Sequence, residues 1–140
     1  MTGSLTQHEG GCLCGAVRYE VRGPMRPVVA CHCVECRRAT GHHVAATAAP
    51  RDSVTIAGEV RWFVSSPGVR RGFCPVCGSN LFWDRTGSER IAIFAGSLDP
   101  PTDLRLVGHI FVAEKGDYYE ITDGLPQAPQ GGADRIAEES

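Results

Sequence analysis

The placement of seven cysteines restricts this chain more than any other feature. They form Cys-x-Cys in GGCLCG, Cys-x-Cys-x-x-Cys in CHCVEC and Cys-x-x-Cys in FCPVCG, at positions 12, 14, 31, 33, 36, 74 and 77. An odd count that includes two Cys-x-Cys pairs suits a disulfide framework poorly. The leading MTGSLTQHEGG has neither the basic nor the apolar region of a secretory signal, and no apolar run approaches the roughly 18 residues of a membrane span. A cytoplasmic, reducing location is therefore expected, where clustered thiols point to metal.

The cysteines divide into four and three. Cys74 and Cys77 bracket a tight turn, in which Pro75 sets φ and Gly78 can take the left-handed conformation. Cys12 and Cys14 are expected to open a strand, with both sulfurs on one face. These four make a complete set for a closed structural zinc. Cys31, Cys33 and Cys36 then remain, with His32 pointing away from them. Three thiolates with one vertex unassigned match a catalytic zinc, which keeps a position for water or substrate. His42 and His43 could close that vertex across Gly41, and His109 could do so from a distant strand, making the site structural. Arg37 and Arg38 could neutralise the charge of a tri-thiolate zinc or fork onto a ligand carboxylate, or simply be solvated. Arg70 and Arg71 invite the same reading.

A chain of 140 residues with 42% hydrophobic and 21% charged residues is expected to form one globular domain. A net charge of -2 gives no electrostatic reason for a nucleic-acid or membrane partner. Period-two alternation in GAVRYEVRG, EVRWFVSS, NLFWDR, RIAIFAG and VGHIFVA predicts strands. Helix is expected only around Val34–Thr40, with a turn near Leu98–Leu104. The expected fold is mainly β, with several small antiparallel sheets organised around zinc. Residues 8–125 would form the zinc-binding domain. Residues 126–140, where Pro, Gly and charge replace the apolar period, would form a loose tail. No heptad or apolar stripe indicates an oligomeric state.

GGCLCGAVRYEV, CHCVECRRATG, FCPVCGSNLFW, AGSLD and HIFV…ITDGLPQ, in that order, resemble the glutathione-dependent formaldehyde-activating enzyme family, which includes centromere protein V. The resemblance implies a β-rich zinc fold similar to a Rab-exchange-factor zinc domain and to methionine sulfoxide reductase B. It implies a structural zinc on Cys12, Cys14, Cys74 and Cys77, and a catalytic zinc on Cys31, Cys33 and Cys36. The implied activity is of carbon–sulfur lyase type, joining glutathione and formaldehyde reversibly as S-hydroxymethylglutathione, so the expected partners are a small thiol and an aldehyde. Arg37, Arg38, His42 and His43 are candidate substrate contacts; at the last two the family more often has small or apolar residues. Two other readings stand beside this one. A non-catalytic zinc module would need a fourth protein ligand at Cys31, Cys33 and Cys36. A methionine sulfoxide reductase-type thiol enzyme would need a metal-free nucleophile, and no cysteine lies outside the two clusters.

Overall fold

A computed structural model describes residues 7–140. It is mainly β, with two short helices, α1 (Val34–Thr40) and α2 (Ala133–Glu138). The chain forms two compact units. One comprises the chain up to Met25 with Thr47–Asp103, the other Arg26–Ala46 with Leu104–Ser140.

In the first unit, β1 (Gln7–Gly11), β2 (Arg18–Arg22) and β5 (Val54–Ala57) form an antiparallel sheet in the order β1-β2-β5. The alternation behind the β2 prediction is realised, since Val17, Tyr19 and Val21 are buried while Arg18 and Arg22 are exposed. A second run, β6 (Arg61–Ser66), β7 (Val69–Phe73), β8 (Asn80–Arg85) and β9 (Arg90–Phe94), pairs in sequence order as antiparallel neighbours. Leu81, Phe82 and Ile93 are fully buried, and the Phe82 ring meets Tyr19 edge-on at 5.3 Å.

The AGSLD segment clips the first sheet together. Ser97 donates to the Phe94 carbonyl at 2.8 Å, so its oxygen accepts from the Tyr19 hydroxyl at 2.6 Å. The Asp99 N–H donates to the Glu9 carbonyl at 2.8 Å, and its carboxylate holds Arg18 at 2.5 Å. A Cβ at Gly10 would lie 2.4 Å from both the Ser97 carbonyl oxygen and the Tyr19 hydroxyl, so only glycine allows this approach. The turn expected near Leu98–Leu104 falls earlier, as a 3₁₀ turn over Ala95–Ser97.

In the second unit, β3 (Val28–Cys31) pairs antiparallel with β4 (Val44–Pro50), a strand that begins in this unit and ends in the first. Its other neighbour, β10 (Leu106–Ile110), runs parallel to it, against the all-antiparallel expectation. A long intervening chain makes such a parallel pair possible.

The loose-tail expectation for residues 126–140 is corrected. The His109 N–H donates to the Pro126 carbonyl, and the Ala128 N–H returns to the His109 carbonyl, both at 2.9 Å. Ala128, Ile136 and Ala137 are buried with Val29 and Ile110 in a core of their own. A Cβ at Gly108 would stand 2.4 Å from Ile136 Cγ2, so this glycine lets α2 close onto β10. Arg26 pairs with Asp134 at 3.1 Å. A six-residue helix has too few apolar positions to show a period, and it is too short to persist without such packing.

Candidate metal centres and a histidine–tyrosine cluster

Each unit carries one group of cysteine sulfurs. In the first unit the thiols of Cys12, Cys14, Cys74 and Cys77 all lie within 4.8 Å of one another. Cys12 and Cys14 do not open a strand as expected. They sit in the turn from β1 to β2, where the Gly15 N–H donates to the Cys12 carbonyl and the Cys12 N–H to the Val17 carbonyl. A turn serves the same end, because it brings both sulfurs into the same group across a two-residue step. Opposite them, Cys74 and Cys77 occupy the β7–β8 turn, closed by the Gly78 N–H on the Cys74 carbonyl at 2.8 Å with Gly78 at φ 79°.

The geometry and the donor set both fit a tetrahedral metal. Cys14 Sγ lies 3.7 Å from Cys12 Sγ and 3.8 Å from Cys74 Sγ. Bonds of about 2.3 Å to a tetrahedral zinc give an edge of about 3.8 Å between sulfurs. Backbone N–H groups of Val17, Ala16, Val76 and Cys77 point at these sulfurs from 3.2–3.5 Å, as they would at thiolates. The Ser79 hydroxyl accepts from the Leu13 N–H at 3.0 Å and lies 3.1 Å from Cys77 Sγ, where it can donate to a thiolate. The Ser79 hydroxyl and then its N–H draw the Cys77 thiol down to about 5. Cys14, although the Ala16 N–H favours its thiolate, is pushed up to about 11 by burial and the neighbouring sulfurs. Four thiolates this close need a cation to ionise together.

In the second unit Cys31, Cys33 and Cys36 also lie within 4.8 Å of one another. Cys31 ends β3, while Cys33 is the N-cap of α1 and its sulfur accepts from the Cys36 N–H at 3.3 Å. Cys36 is buried in the first helical turn. The α1 residues match the predicted helix, and its C-cap is Gly41 at φ 89°. Glu114 completes the N-terminus, accepting from the Val34 N–H at 2.9 Å. The sulfurs of Cys33 and Cys36, followed by burial, push the Cys31 thiol far above its usual range. Three thiolates this close, too, would need a cation to ionise together. Among the described residues, no histidine or carboxylate joins the three sulfurs within that distance.

Two of the imidazoles expected to compete for the vertex, His42 and His109, have hydrogen-bond partners elsewhere. His32 is fully buried, placed by its neighbours Cys31 and Cys33. Its Nδ1 meets the Tyr119 hydroxyl, and its Nε2 is 2.9 Å from His109 Nδ1. His109 Nε2 reaches Asp123 at 2.8 Å. The Leu125 N–H and His109 keep the Asp123 carboxyl below its ordinary range. Burial, followed by the nearby His43, His109 and His42, lowers His32 to about 4. His42 Nδ1 bonds the exposed Tyr118 hydroxyl at 2.5 Å, and the His42 and His43 rings stand 4.2 Å apart. His43 Nδ1 is buried without a hydrogen-bond partner. Of the candidate arginines, Arg37 donates to the Glu114 carbonyl at 3.0 Å, and Arg38 is exposed. Arg70 is committed to Asp84 at 3.0 Å and lies 3.9 Å over the Trp62 ring, while Arg71 is buried.

Sequence reasoning overlooked Ser79, Glu114, Tyr118, Tyr119 and Asp123. Two of them had a signal: Ser79 lies in FCPVCGSNLFW, and Asp123 in the ITDG that follows HIFV in the last motif.

Comparison with known proteins supports the family resemblance. Residues 7–114 match the family described as glutathione-dependent formaldehyde-activating enzyme. A Halomonas elongata protein named "Putative glutathione-dependent formaldehyde-activating enzyme" is 30% identical over 130 residues, covering 81% of this chain and 80% of its own. An uncharacterized lyase of Schizosaccharomyces pombe is 25% identical over 121 residues, covering 85% and 88%. In fold, the chain is similar to the crystal structure of a Rhodobacter sphaeroides protein, with a TM-score of 0.58 at 23% identity over 72% of this chain and 98% of that one. The chain thus belongs to the glutathione-dependent formaldehyde-activating enzyme family.

Proposed function

We propose that this protein is a zinc-dependent carbon–sulfur lyase-type enzyme. Its substrate would be a thiol–aldehyde adduct, with glutathione and formaldehyde joined as S-hydroxymethylglutathione the leading case. The observation that carries this reading is the three-sulfur cluster of Cys31, Cys33 and Cys36, which no further protein donor joins among the described residues. Family membership supplies the thiol and the aldehyde. Cys12, Cys14, Cys74 and Cys77 would hold a second, structural zinc. A fold of the Rab-exchange-factor or methionine sulfoxide reductase B type, and a cytoplasmic location keeping all seven thiols reduced, belong to the same proposal.

Zinc at the three-cysteine cluster, when bound, supplies a positive centre that favours thiolate over thiol at neutral pH. The chain's own residues do the rest. Arg38, exposed in the last turn of α1, is better placed than Arg37 to meet a carboxylate of the thiol, because Arg37 already serves Glu114. His42, His43 and Tyr118 offer polar ring edges to the adduct. The competing reading, a module with both metals structural, needs a fourth protein ligand. It would be favoured if a histidine supplied one.

The test measures zinc per chain in protein purified without chelator, for wild type and a His42→Ala/His43→Ala variant. Turnover of S-hydroxymethylglutathione is followed in parallel by NMR. Two zinc ions in both proteins, with wild-type turnover above the spontaneous rate, are expected. A fall from two to one in the variant would favour the structural module.

A further inference from the structure

The helix that carries Cys36 has little of its own to hold it. It spans seven residues, and a helix so short does not persist in water by itself. Its first turn nevertheless fixes the distance between Cys33, the N-cap, and Cys36. Inside that turn the Cys36 N–H meets Cys33 Sγ at 3.3 Å, and the Arg37 N–H meets the Cys33 carbonyl at 3.0 Å. The Val34 N–H, like those at any helix start, has no intrahelical carbonyl to bond. It is taken by Glu114 Oε1 at 2.9 Å, from 80 positions away. The carbonyl of the same glutamate accepts from Arg37 Nε at 3.0 Å. Glu114 thus holds α1 at two points, one residue beyond Cys33 and one residue beyond Cys36.

Glu114 is itself anchored. It ends a 3₁₀ turn, Val112–Glu114, that starts from Phe111 at φ 55°, a left-handed conformation that a bulky residue adopts only under constraint. The constraint comes from the C-terminal segment. The Phe111 N–H donates to the Gln130 carbonyl at 2.8 Å, the Val112 N–H to Ala128 at 3.1 Å and the Ala113 N–H to Pro129 at 3.3 Å. Ala128 is buried in one core with Ile136 and Ala137. Glu114 is the last residue of the family match, and residues 128–130, which anchor its turn, lie beyond that match.

We infer that Glu114 is a positioning residue for the three-cysteine site. Its two bonds to α1 fix the separation and direction of the Cys33 and Cys36 sulfurs, and the C-terminal segment fixes Glu114 in turn. The inference rests on metal binding by Cys31, Cys33 and Cys36, and not on the thiol–aldehyde reaction. Without the carboxylate, the Val34 N–H loses its partner and the turn is held at Arg37 alone. A turn that is not preformed has to be ordered as the metal binds, which subtracts from affinity. Groups that orient ligands in this way are worth about 10- to 100-fold in metal affinity. The bond to Val34 needs an oxygen acceptor, which the amide of a glutamine also supplies.

The test loads the full-length protein with ¹¹³Cd, reads both sites by NMR and measures affinity by chelator competition. The wild type is expected to give two resonances. That of the four-cysteine site, which lies in the other compact unit, is the internal control. Glu114→Ala is expected to shift or broaden the three-cysteine resonance and to weaken metal there about 10- to 100-fold, with the control unmoved. Glu114→Gln, which keeps the acceptor, should restore both. If Glu114→Ala does not fold, Glu114→Asp decides, because its carboxylate is one methylene short of Val34. An unchanged three-cysteine resonance and affinity, equal losses at the two sites, or a Glu114→Gln variant no better than Glu114→Ala would overturn the inference. A wild type showing the four-cysteine resonance alone would overturn the metal at the three sulfurs, and this inference with it. The expected pattern in a protein without turnover on thiol–aldehyde adducts would uphold Glu114 and overturn the lyase reading alone.

Discussion

Ser79 illustrates how one hydroxyl outside a candidate ligand set can set the state of a thiol within it. Its oxygen accepts from the Leu13 N–H, and its proton is available to a Cys77 thiolate 3.1 Å away. Ser79→Ala removes the donor and is expected to weaken metal at the four-cysteine site about 10- to 100-fold, measured by chelator competition. Asp84 plays a different part. It is buried, which alone would raise its pKa, yet hydrogen bonds from Arg51 at 2.7 Å and Arg70 at 3.0 Å hold it below the ordinary 3.8. A carboxyl depressed in the folded state contributes stability above its unfolded pKa and loses it as pH falls through the folded value. Asp84→Asn should therefore cost about 1–3 kcal/mol at pH 7. In urea titrations the gap to wild type should narrow below pH 3.8. Neither role could be read from sequence: Ser79 looked like a residue of a turn and Asp84 like the polar end of a strand. The cysteines were legible because ligand spacing is written locally. The His32–His109 contact was not, because it joins residues 77 positions apart.

At the scale of elements, alternation was a dependable guide where β-branched and aromatic residues carried it. The strands β2, β6, β8 and β9 lie within the segments it picked out, and β10 begins one residue before its segment. It failed for β4, whose VAATAAP has Ala at four of seven positions and little intrinsic strand preference, although five of them are buried. Burial between neighbours, not propensity, makes that segment a strand. The same holds for α2, which draws its stability from Ile136 and Ala137 against β10 and β3. Ile136→Ala should destabilise the protein by about 2–4 kcal/mol in denaturant unfolding. Gly108→Val should disturb the same contact from the other side, since even a Cβ there would stand 2.4 Å from Ile136 Cγ2. An undiminished stability in both variants would mean that the helix contributes nothing.

At the scale of the molecule, each compact unit holds one cysteine cluster, which separates two consequences of metal loss. Cys74→Ser is expected to reduce bound zinc from two to one and to lower Tm, because the four-cysteine set ties two turns whose ligands lie 60 positions apart. Cys33→Ser should also remove one zinc but abolish turnover in protein that retains the β-rich circular dichroism spectrum. Identical Tm and activity losses in the two variants would show that the clusters are not functionally distinct. The sequence by itself determined the division of the cysteines into four and three, the short helix bearing Cys36, the β character and the family, because ligand spacing, capping and period-two burial act over a few residues. The tertiary structure alone decided that the chain forms two compact units, that the C-terminal segment is packed, and that His109 meets His32 and Asp123 while His42 meets Tyr118. Those outcomes depend on which distant side chains meet, a matter of chain topology and burial that local pattern does not encode.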